Sequence, residues 1–231
     1  HHHHLLDGWA QLDTVVTQGI PIKKRSYGEE TERQSFLMGM FNLAMGIAPE
    51  IAKQIDLRER KHLLDLGGGP GTYAIHFCKT NPKLKATIFD RPTTQPFAEK
   101  TIKSFGLEKR ISFIGGDFNT DRIKGGPYDV AWLSHILHSN SPEECYAIIE
   151  RTVEQMISGG IIFIHDFILN DSRDKPEFAA LFSLNMLINN PRGKSYSEGE
   201  IRAMLKAANV TAIEQHSFCG PNDSSILFGV V

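Results

Sequence analysis

Residues 62–92 place an apolar strand, a glycine loop, a helix and a second apolar strand in close succession. The first strand ends at Asp65, glycines follow between residues 67 and 71, and the second strand, residues 84–89, ends at Asp90. Glycines at such a position let backbone N–H groups approach a ligand at the start of the helix. The stretch therefore predicts a βαβ unit that binds a nucleotide-like cofactor at the carboxyl ends of its strands.

Strand-like and helix-like segments alternate from there to the end of the chain. Strands are predicted at residues 62–66, 84–89, 111–115, 128–134, 160–167, 210–217 and 224–231. Helices are predicted at about 71–79, 93–105, 141–157, 175–189 and 197–208. This alternation predicts an α/β fold in which a mostly parallel seven-stranded sheet is covered by helices on both faces. Residues 220–223 are too few for a crossover helix, so the last two strands should pair antiparallel, with one reversed strand at the sheet edge.

An N-terminal helical segment, residues 1–55, is predicted ahead of the domain that holds the sheet, residues 56–231. Four apolar side chains fall on one helical face in this segment: Phe36, Met40, Leu43 and Ile47. We expect that face either to pack on the core or to cover a pocket. In a pocket, flexible thioethers such as that of Met40 would adapt to a flat aromatic ligand. The run His1–His4 is interpreted as a tag remnant or as a native run inside a longer protein, and with the missing initiator Met it predicts a fragment.

Composition excludes several kinds of partner. The 231 residues carry a net charge of −2, which gives no basic field for nucleic acid or for an anionic membrane. No run approaches the roughly 20 apolar residues that a membrane span needs. The three cysteines are Cys78, Cys145 and Cys219. Their odd number argues against a disulfide framework, and none has a second ligand at zinc spacing. We therefore expect a cytoplasmic protein in a reducing compartment.

The glycine loop differs from a dinucleotide-binding loop in spacing and charge. It has the pattern G-x-G-x-G from Gly67 to Gly71, and Thr72 stands where a nicotinamide-binding motif has its third glycine. Asp65 would repel a pyrophosphate but attract the ammonium of an amino-acid cofactor, whose carboxylate suits the amides around Gly67 and Gly69. S-adenosylmethionine has both groups and no phosphate, and it is the cofactor that we expect.

Two further carboxylates follow the next strands of the predicted sheet. Asp90 is placed to accept both ribose hydroxyls, although it could instead cap the helix that follows. Asp117 is expected to hold the adenine edge and Phe118 to stack on its ring, unless this segment is only a strand-end turn. Three acidic residues at the ends of successive strands agree with binding at the topological switch point of the sheet.

Six motifs between about residues 62 and 200 have the order and spacing of a known family: LLDLGGGPG, IFDRP, GGDF, LSHILHSNSPEEC, GGIIFIHDFIL and NPRGKSYSEGE. In these motifs the chain resembles the plant-type small-molecule O-methyltransferases, which include caffeic acid and acetylserotonin O-methyltransferases and bacterial relatives. The resemblance implies a Rossmann-like class I methyltransferase domain at residues 56–231, S-adenosylmethionine with S-adenosylhomocysteine as product, metal-independent chemistry and a homodimer. A dimerisation domain precedes this region in the family, so residues 1–55 would be its remnant or connection.

Methyl transfer to a phenol needs a base, because a hydroxyl of pKa about 10 is mostly protonated at neutral pH. The resemblance gives this role to His138, in LSHILHSNSPEEC. It places Asp166 where the family has a glutamate that fixes the tautomer of the imidazole. His135, three residues before His138, is the rival base and is expected to be structural or to line the cofactor site.

Two positions depart from the family pattern. Ser134 replaces a lysine and is expected beside the cofactor, and Ser195 replaces a second glutamate. Either Glu198 or Glu200 could move in to supply the missing charge. The departures leave open a binding or regulatory module that has lost catalysis.

The acceptor site is expected to be a flat, mostly apolar slot with a polar end. Met186 and Asn190 match acceptor-contacting positions of the family, and Phe182 and Met40 join them as candidates. No metal is expected, because His135-x-x-His138 offers two ligands without an assured third. The acceptor atom stays open between oxygen, nitrogen, carbon and sulfur, a non-methylating reaction is a further alternative, and a nicotinamide dehydrogenase is the remaining enzymatic rival.

Overall fold

The computed structural model describes residues 9–19, 30–190, 192–220 and 223–231, without the side chains of residues 30–37 and 219. Its strands are β1 His62–Leu66, β2 Lys85–Asp90, β3 Ile111–Gly115, β4 Tyr128–Ser134, β5 Met156–Asp166, β6 Thr211–Cys219 and β7 Ser225–Val230. Its α-helices are α1 Leu12–Gln18, α2 Glu30–Met45, α3 Ala48–Gln54, α4 Thr72–Thr80, α5 Gln95–Ser104, α6 Pro142–Val153, α7 Glu177–Asn189 and α8 Glu198–Ala207. Short 3₁₀ helices cover Pro92–Thr94 and Leu137–Ser139.

The seven strands form one sheet in the order β3-β2-β1-β4-β5-β7-β6. Strands β1 to β5 are parallel, and β7 runs antiparallel to both β5 and β6. The predicted α/β class and the antiparallel last strand are therefore confirmed, but the reversed strand does not lie at the edge. Strand β7 takes the inner place because Ile226 and Leu227 are fully buried, whereas β6 exposes Glu214 and Gln215 and so tolerates the edge.

The border between α6 and β5 also differs from the prediction. The helix predicted to run to residue 157 ends at Val153, and β5 begins at Met156 rather than at residue 160. Tyr128 pairs with Met156 across a bulge, and the N–H of Gly159 donates to the carbonyl of Val231. These long-range partners draw Met156 into the sheet, although its apolar character continues the helical pattern.

Each face of the sheet has its own apolar core. On one face, Leu63 and Trp132 pack with helices α3, α4 and α5. On the other, Leu64 and Leu133 pack with α6 and α8. Full burial of such side chains contributes about 1.5–3 kcal/mol each. The two cores hold the strands in register and bring the carboxyl ends of β1 to β5 to one side, which we term the carboxyl edge.

The N-terminal helices are only partly buried. Ala48 and Ile51 of α3 enter the core, but Met40 and Leu43 of α2 are 36% and 63% exposed. The core-facing interpretation is therefore wrong for Met40 and Leu43, but Ile47 does pack against the core, and Phe36 lies outside the described side chains. None of the helices in the described ranges is both long and apolar enough to cross a bilayer.

Candidate active site

The glycine loop occupies the carboxyl edge between β1 and α4. Gly67, Gly69 and Gly71 all have left-handed φ values, of 63°, 55° and 85°, which glycine adopts without strain. A Cβ at Gly67 would overlap the Cδ1 atom of Ile136 and lie 3.2 Å from the Phe118 ring. The loop thus needs glycine for backbone shape and, at Gly67, for close approach to the segment that follows β4.

Asp65 and Asp90 brace this loop from two sides. The Asp90 carboxylate accepts the N–H of Gly69 at 2.8 Å, and burial raises its pKa. Asp65 is 1% exposed and accepts the N–H of Ala74 at 3.1 Å, while its Oδ1 atom is buried without a hydrogen bond. Burial raises the pKa of Asp65 to about 7. Gly68 lies directly over the Asp65 carboxyl, since a Cβ at Gly68 would come within 2.5 Å of the Asp65 Cγ atom. The contact between Asp65 and a cofactor ammonium stays a prediction.

Asp117 and Phe118 follow β3. The Asp117 carboxylate accepts the N–H of Asn119 at 2.9 Å, which is the hydrogen bond of a strand-end turn. The Phe118 ring is half-buried and lies against the glycine loop. The structure thus brings Phe118 next to Gly67, while the adenine contacts of both residues stay predictions.

Ser134, the last residue of β4, is held from behind by a buried histidine. Its Oγ atom lies 2.9 Å from Nδ1 of His165, and Nε2 of His165 lies 3.1 Å from Oγ of Ser224. Burial, with nearby His135, holds the pKa of His165 well below its ordinary value, so the imidazole is neutral. Sequence reasoning missed His165, although its place immediately before Asp166 could have indicated it.

His138 and Asp166 form a close pair at the ends of neighbouring strands. Strands β4 and β5 pair Ser134 with His165, so the 3₁₀ turn after β4 carries His138 back over Asp166. Nδ1 of His138 lies 2.6 Å from Oδ1 of Asp166, and the two side chains are 12% and 5% exposed. Burial would raise the pKa of Asp166, but the adjacent imidazoles outweigh it and hold that pKa well below the ordinary value.

His135 approaches the same carboxylate. It has a left-handed φ of 57°, fixed by its N–H donating to the carbonyl of His165 at 2.8 Å. Its Nδ1 atom lies 3.4 Å from Oδ1 of Asp166, which is an ion-pair distance but not a well-formed hydrogen bond. Two imidazoles therefore share one buried carboxylate, and His138 is the nearer.

Three phenylalanine rings, Phe167, Phe178 and Phe182, form an aromatic wall beside these imidazoles. The Phe167 ring is tilted against both others, 4.5 Å from Phe182 and 5.0 Å from Phe178 between ring centroids. The edge-to-face contact between His138 and Phe182 spans 4.9 Å. Phe182 was predicted from the sequence, but Phe167 and Phe178 were missed. Phe178 could have been found, because it lies four residues before Phe182 on the same helix.

The other acceptor candidates differ in how far they are buried. Met186 is buried, and Asn190 donates to the Ser139 carbonyl at 2.9 Å, which anchors its segment beside the His138 turn. Met40 is exposed on α2, and its contact with an acceptor stays a prediction.

Ser195 is a packing residue. It is 1% exposed, and its hydroxyl donates to the Ala179 carbonyl at 2.9 Å. Glu198 binds Arg202 at 2.7 Å, and Glu200 binds Lys194 at 2.8 Å. The expectation that one of these glutamates moves in toward His138 is therefore wrong, because ion pairs hold both carboxylates elsewhere.

Two curated relatives align with most of the chain. The tetracenomycin polyketide synthesis 8-O-methyl transferase TcmO of Streptomyces glaucescens is 30% identical over 224 residues, which are 94% of this chain and 66% of that protein. The L-tyrosine C(3)-methyltransferase of Streptomyces lavendulae is 35% identical over 173 residues, which are 75% of this chain and 47% of that protein. The chain thus spans less than two thirds of either relative.

The fold and the family are shown by two further comparisons. The crystal structure of human N-acetylserotonin methyltransferase in complex with SAM superposes with a TM-score of 0.85 at 23% identity, over 96% of this chain and 66% of that one. The sequence profile of the O-methyltransferase domain matches residues 3–210. Because that match covers most of the chain, the protein belongs to the O-methyltransferase domain family.

Proposed function

We propose that the protein is an S-adenosylmethionine-dependent O-methyltransferase that methylates a hydroxyl of a small aromatic molecule. The observation that carries this proposal is the 2.6 Å contact between His138 and Asp166, beside the aromatic wall and across the carboxyl edge from the glycine loop. The pair supplies a base, the wall supplies a surface for a planar acceptor, and the loop supplies a cofactor site.

The residues of the loop fit an aminoacyl nucleoside better than a dinucleotide. Residues 66–72 include no Lys or Arg that would neutralise a pyrophosphate, and the carboxylates of Asp65 and Asp90 flank them. We assign the ribose to Asp90, the adenine to Asp117 and Phe118, and the amino-acid end to the segment from Asp65 to Gly69. Ser134 offers a hydroxyl at the same edge.

The cofactor supplies an electrophilic methyl group, so the protein has to position the acceptor and take its proton. Ionised Asp166 keeps the proton of His138 on Nδ1, which leaves the lone pair of Nε2 to accept the hydroxyl proton. Asp166 then stabilises the imidazolium that results. Phe182 and Phe167 present ring faces and edges that orient a planar acceptor and exclude water.

Carbon methylation is the second candidate, because the Streptomyces lavendulae relative is named an L-tyrosine C(3)-methyltransferase. A base that generates a phenolate also increases electron density at the ring carbons next to the oxygen. The same His138 would therefore serve either acceptor atom, and the angle at which the aromatic wall holds the ring would decide between them.

The activity is tested by incubating the full chain with methyl-labelled S-adenosylmethionine and a set of hydroxylated naphthoates, polycyclic phenols and tyrosine. An O-methyl product, located by mass and NMR, supports the leading proposal. A ring C-methyl product supports the second candidate. Absence of labelled product with every acceptor, although calorimetry detects S-adenosylhomocysteine binding, would count against both.

We further propose a cytoplasmic homodimer, with residues 56–231 as the catalytic domain and residues 1–55 as the segment that leads to the dimer interface. Val16, Met38, Met40 and Leu43 are exposed apolar side chains on α1 and α2, which supports an interface there. Free, buried Cys78 and Cys145 agree with a reducing compartment. Sedimentation of the parent chain and of Leu43→Glu tests the interface, since a dimer should dissociate in the variant.

A further inference from the structure

The Asp166 carboxylate and the two imidazoles that share it have the donor atoms of a metal site. The donor atoms of His135, His138 and Asp166 all lie within 4.8 Å of one another. The sequence offered only the His135-x-x-His138 spacing, and the third ligand comes from the neighbouring strand, 28 residues after His138.

One of these donors lacks a hydrogen bond. Nδ1 of His135 is buried and has no hydrogen-bond partner among the described residues, and it lies 3.4 Å from the Asp166 carboxylate. The left-handed backbone of His135 holds the imidazole in this position. A bound cation would give this buried nitrogen a partner in place of the hydrogen bond that it lacks.

We propose that His135, His138 and Asp166 form an inhibitory site for a divalent cation of the zinc class. Two imidazoles and one carboxylate suit Zn²⁺, Co²⁺ or Ni²⁺, whereas Ca²⁺ and Mg²⁺ prefer oxygen ligands. The side chain of His135 is 30% exposed, which gives the ion a path to the buried Asp166.

Two of the three separations between ligand atoms are close to those of a zinc site, and the third, between the two imidazoles, is at most 4.8 Å. Zinc–ligand bonds of about 2.0–2.1 Å in a tetrahedron place the ligand atoms roughly 3.3 Å apart. The His135–Asp166 separation of 3.4 Å already has this value, and the His138–Asp166 contact of 2.6 Å must open by roughly 0.7 Å. Water or the acceptor oxygen would fill the fourth position.

Inhibition follows from where the proton of His138 goes. In the metal-free pair, Nδ1 carries the proton and Nε2 carries the lone pair. A cation would displace the proton from Nδ1 and bind the lone pair that this exposes. The proton would move through solvent to the lone pair of Nε2, so neutral His138 stays neutral and no net proton is released. Nε2 then donates instead of accepting, and it cannot take the hydroxyl proton. Loss of turnover rests on the proposed function, but binding of the cation does not.

The test uses the full chain with His1–His4 replaced by serine, because those four residues would bind zinc themselves. Calorimetry with ZnCl₂ should show one equivalent bound, and CoCl₂ should give the visible absorption of a tetrahedral site. His135→Asn should weaken binding by at least about 10–100-fold, while the control His216→Asn, on β6, should bind as the parent does. Far-UV circular dichroism checks that each variant is folded. If His135→Asn does not fold, His135→Gln is used in its place.

Turnover gives the second readout. Zinc should inhibit the serine-substituted parent, EDTA should restore its rate, and the ratio of rates with and without zinc should approach one in His135→Asn. Saturable zinc binding that is lost in His135→Asn supports the metal site, even when no acceptor is methylated. Failure of the proposed function can therefore be distinguished from failure of the metal site. Absence of saturable binding, or binding equal in His135→Asn and the parent, would overturn the proposal.

Discussion

The two halves of the carboxyl edge hold their polar groups in different ways. In the half proposed to bind the cofactor (the cofactor half), built on β1, β2 and β3, carboxylates bind backbone amides, as Asp90 binds Gly69. In the half proposed to bind the acceptor (the acceptor half), built on β4 and β5, side chains bind side chains, as His138 binds Asp166 and Ser134 binds His165.

This difference has a consequence for mutation. A backbone amide is present whatever residue supplies it, so each contact of the cofactor half depends on one side chain, its carboxylate, and on backbone shape. A pair of side chains is lost when either member is replaced, so the acceptor half should respond sharply to single substitutions. The expected effects below follow from this contrast.

The largest effect is expected for His138→Ala in the acceptor half. Methyl transfer should fall by about 10²–10⁴-fold, because the acceptor hydroxyl loses its base. The Kd for S-adenosylmethionine should change little, since the glycine loop is untouched. Initial rates and calorimetry measure the two quantities, with His216→Ala as the control. Equal losses in turnover and in cofactor binding would show that the halves are not separate.

Backbone shape is tested by comparing Gly67→Ala with Gly69→Ala. Both positions have left-handed φ, which costs a non-glycine residue about 1–2 kcal/mol. Only at Gly67 does a Cβ also meet Ile136, which adds about 1–3 kcal/mol, whereas nothing lies within 4 Å at Gly69. Urea unfolding should therefore show the greater loss of unfolding free energy for Gly67→Ala. Equal losses would mean that Ile136 moves aside freely.

Asp65→Asn tests the buried carboxyl beneath the loop. Its pKa is raised to about 7 in the folded protein and is about 3.9 when unfolded, so the unfolded chain loses this proton first as pH rises. The parent should therefore lose stability between pH 4 and about 7, by about 2–4 kcal/mol, and the variant should not. Unfolding free energies at pH 5 and pH 8 give the comparison, and a parent-to-variant difference independent of pH would contradict it.

The smallest effect is expected at the aromatic wall. Phe182→Ala should raise the acceptor KM roughly 3–10-fold, which corresponds to the loss of aromatic contacts worth about 0.5–1.5 kcal/mol. Leu181→Ala is the control, because Leu181 lies on the same helix and is 47% exposed. If both variants raise KM alike, the wall does not contact the acceptor.

Local patterns were enough to predict the parts of the fold that depend on neighbours in sequence. The strand before Asp65 and the glycine loop follow from apolar runs and from residues that adopt left-handed φ. The position of β7 in the sheet does not follow from local patterns, because it depends on which strand of the final pair buries both of its faces. The start of β5 at Met156 depends likewise on Tyr128, which lies far away in the chain.

The acceptor half was harder to predict for the same physical reason. His138 and Asp166 were identified from a family resemblance, but the approach of His135 to the same carboxylate needs the register of β4 and β5. Phe167 and Phe178 come from separate segments, and their contact requires α7 to fold back over the end of β5. No periodicity within either segment contains that information.

Ile136 stands between the two imidazole residues in the chain, and its Cδ1 atom rests against Gly67. One aliphatic side chain thus separates the glycine loop from the two imidazoles. If the proposed function is right, trimming or enlarging Ile136 should change the distance between the methyl group and the acceptor while leaving every reacting atom chemically intact.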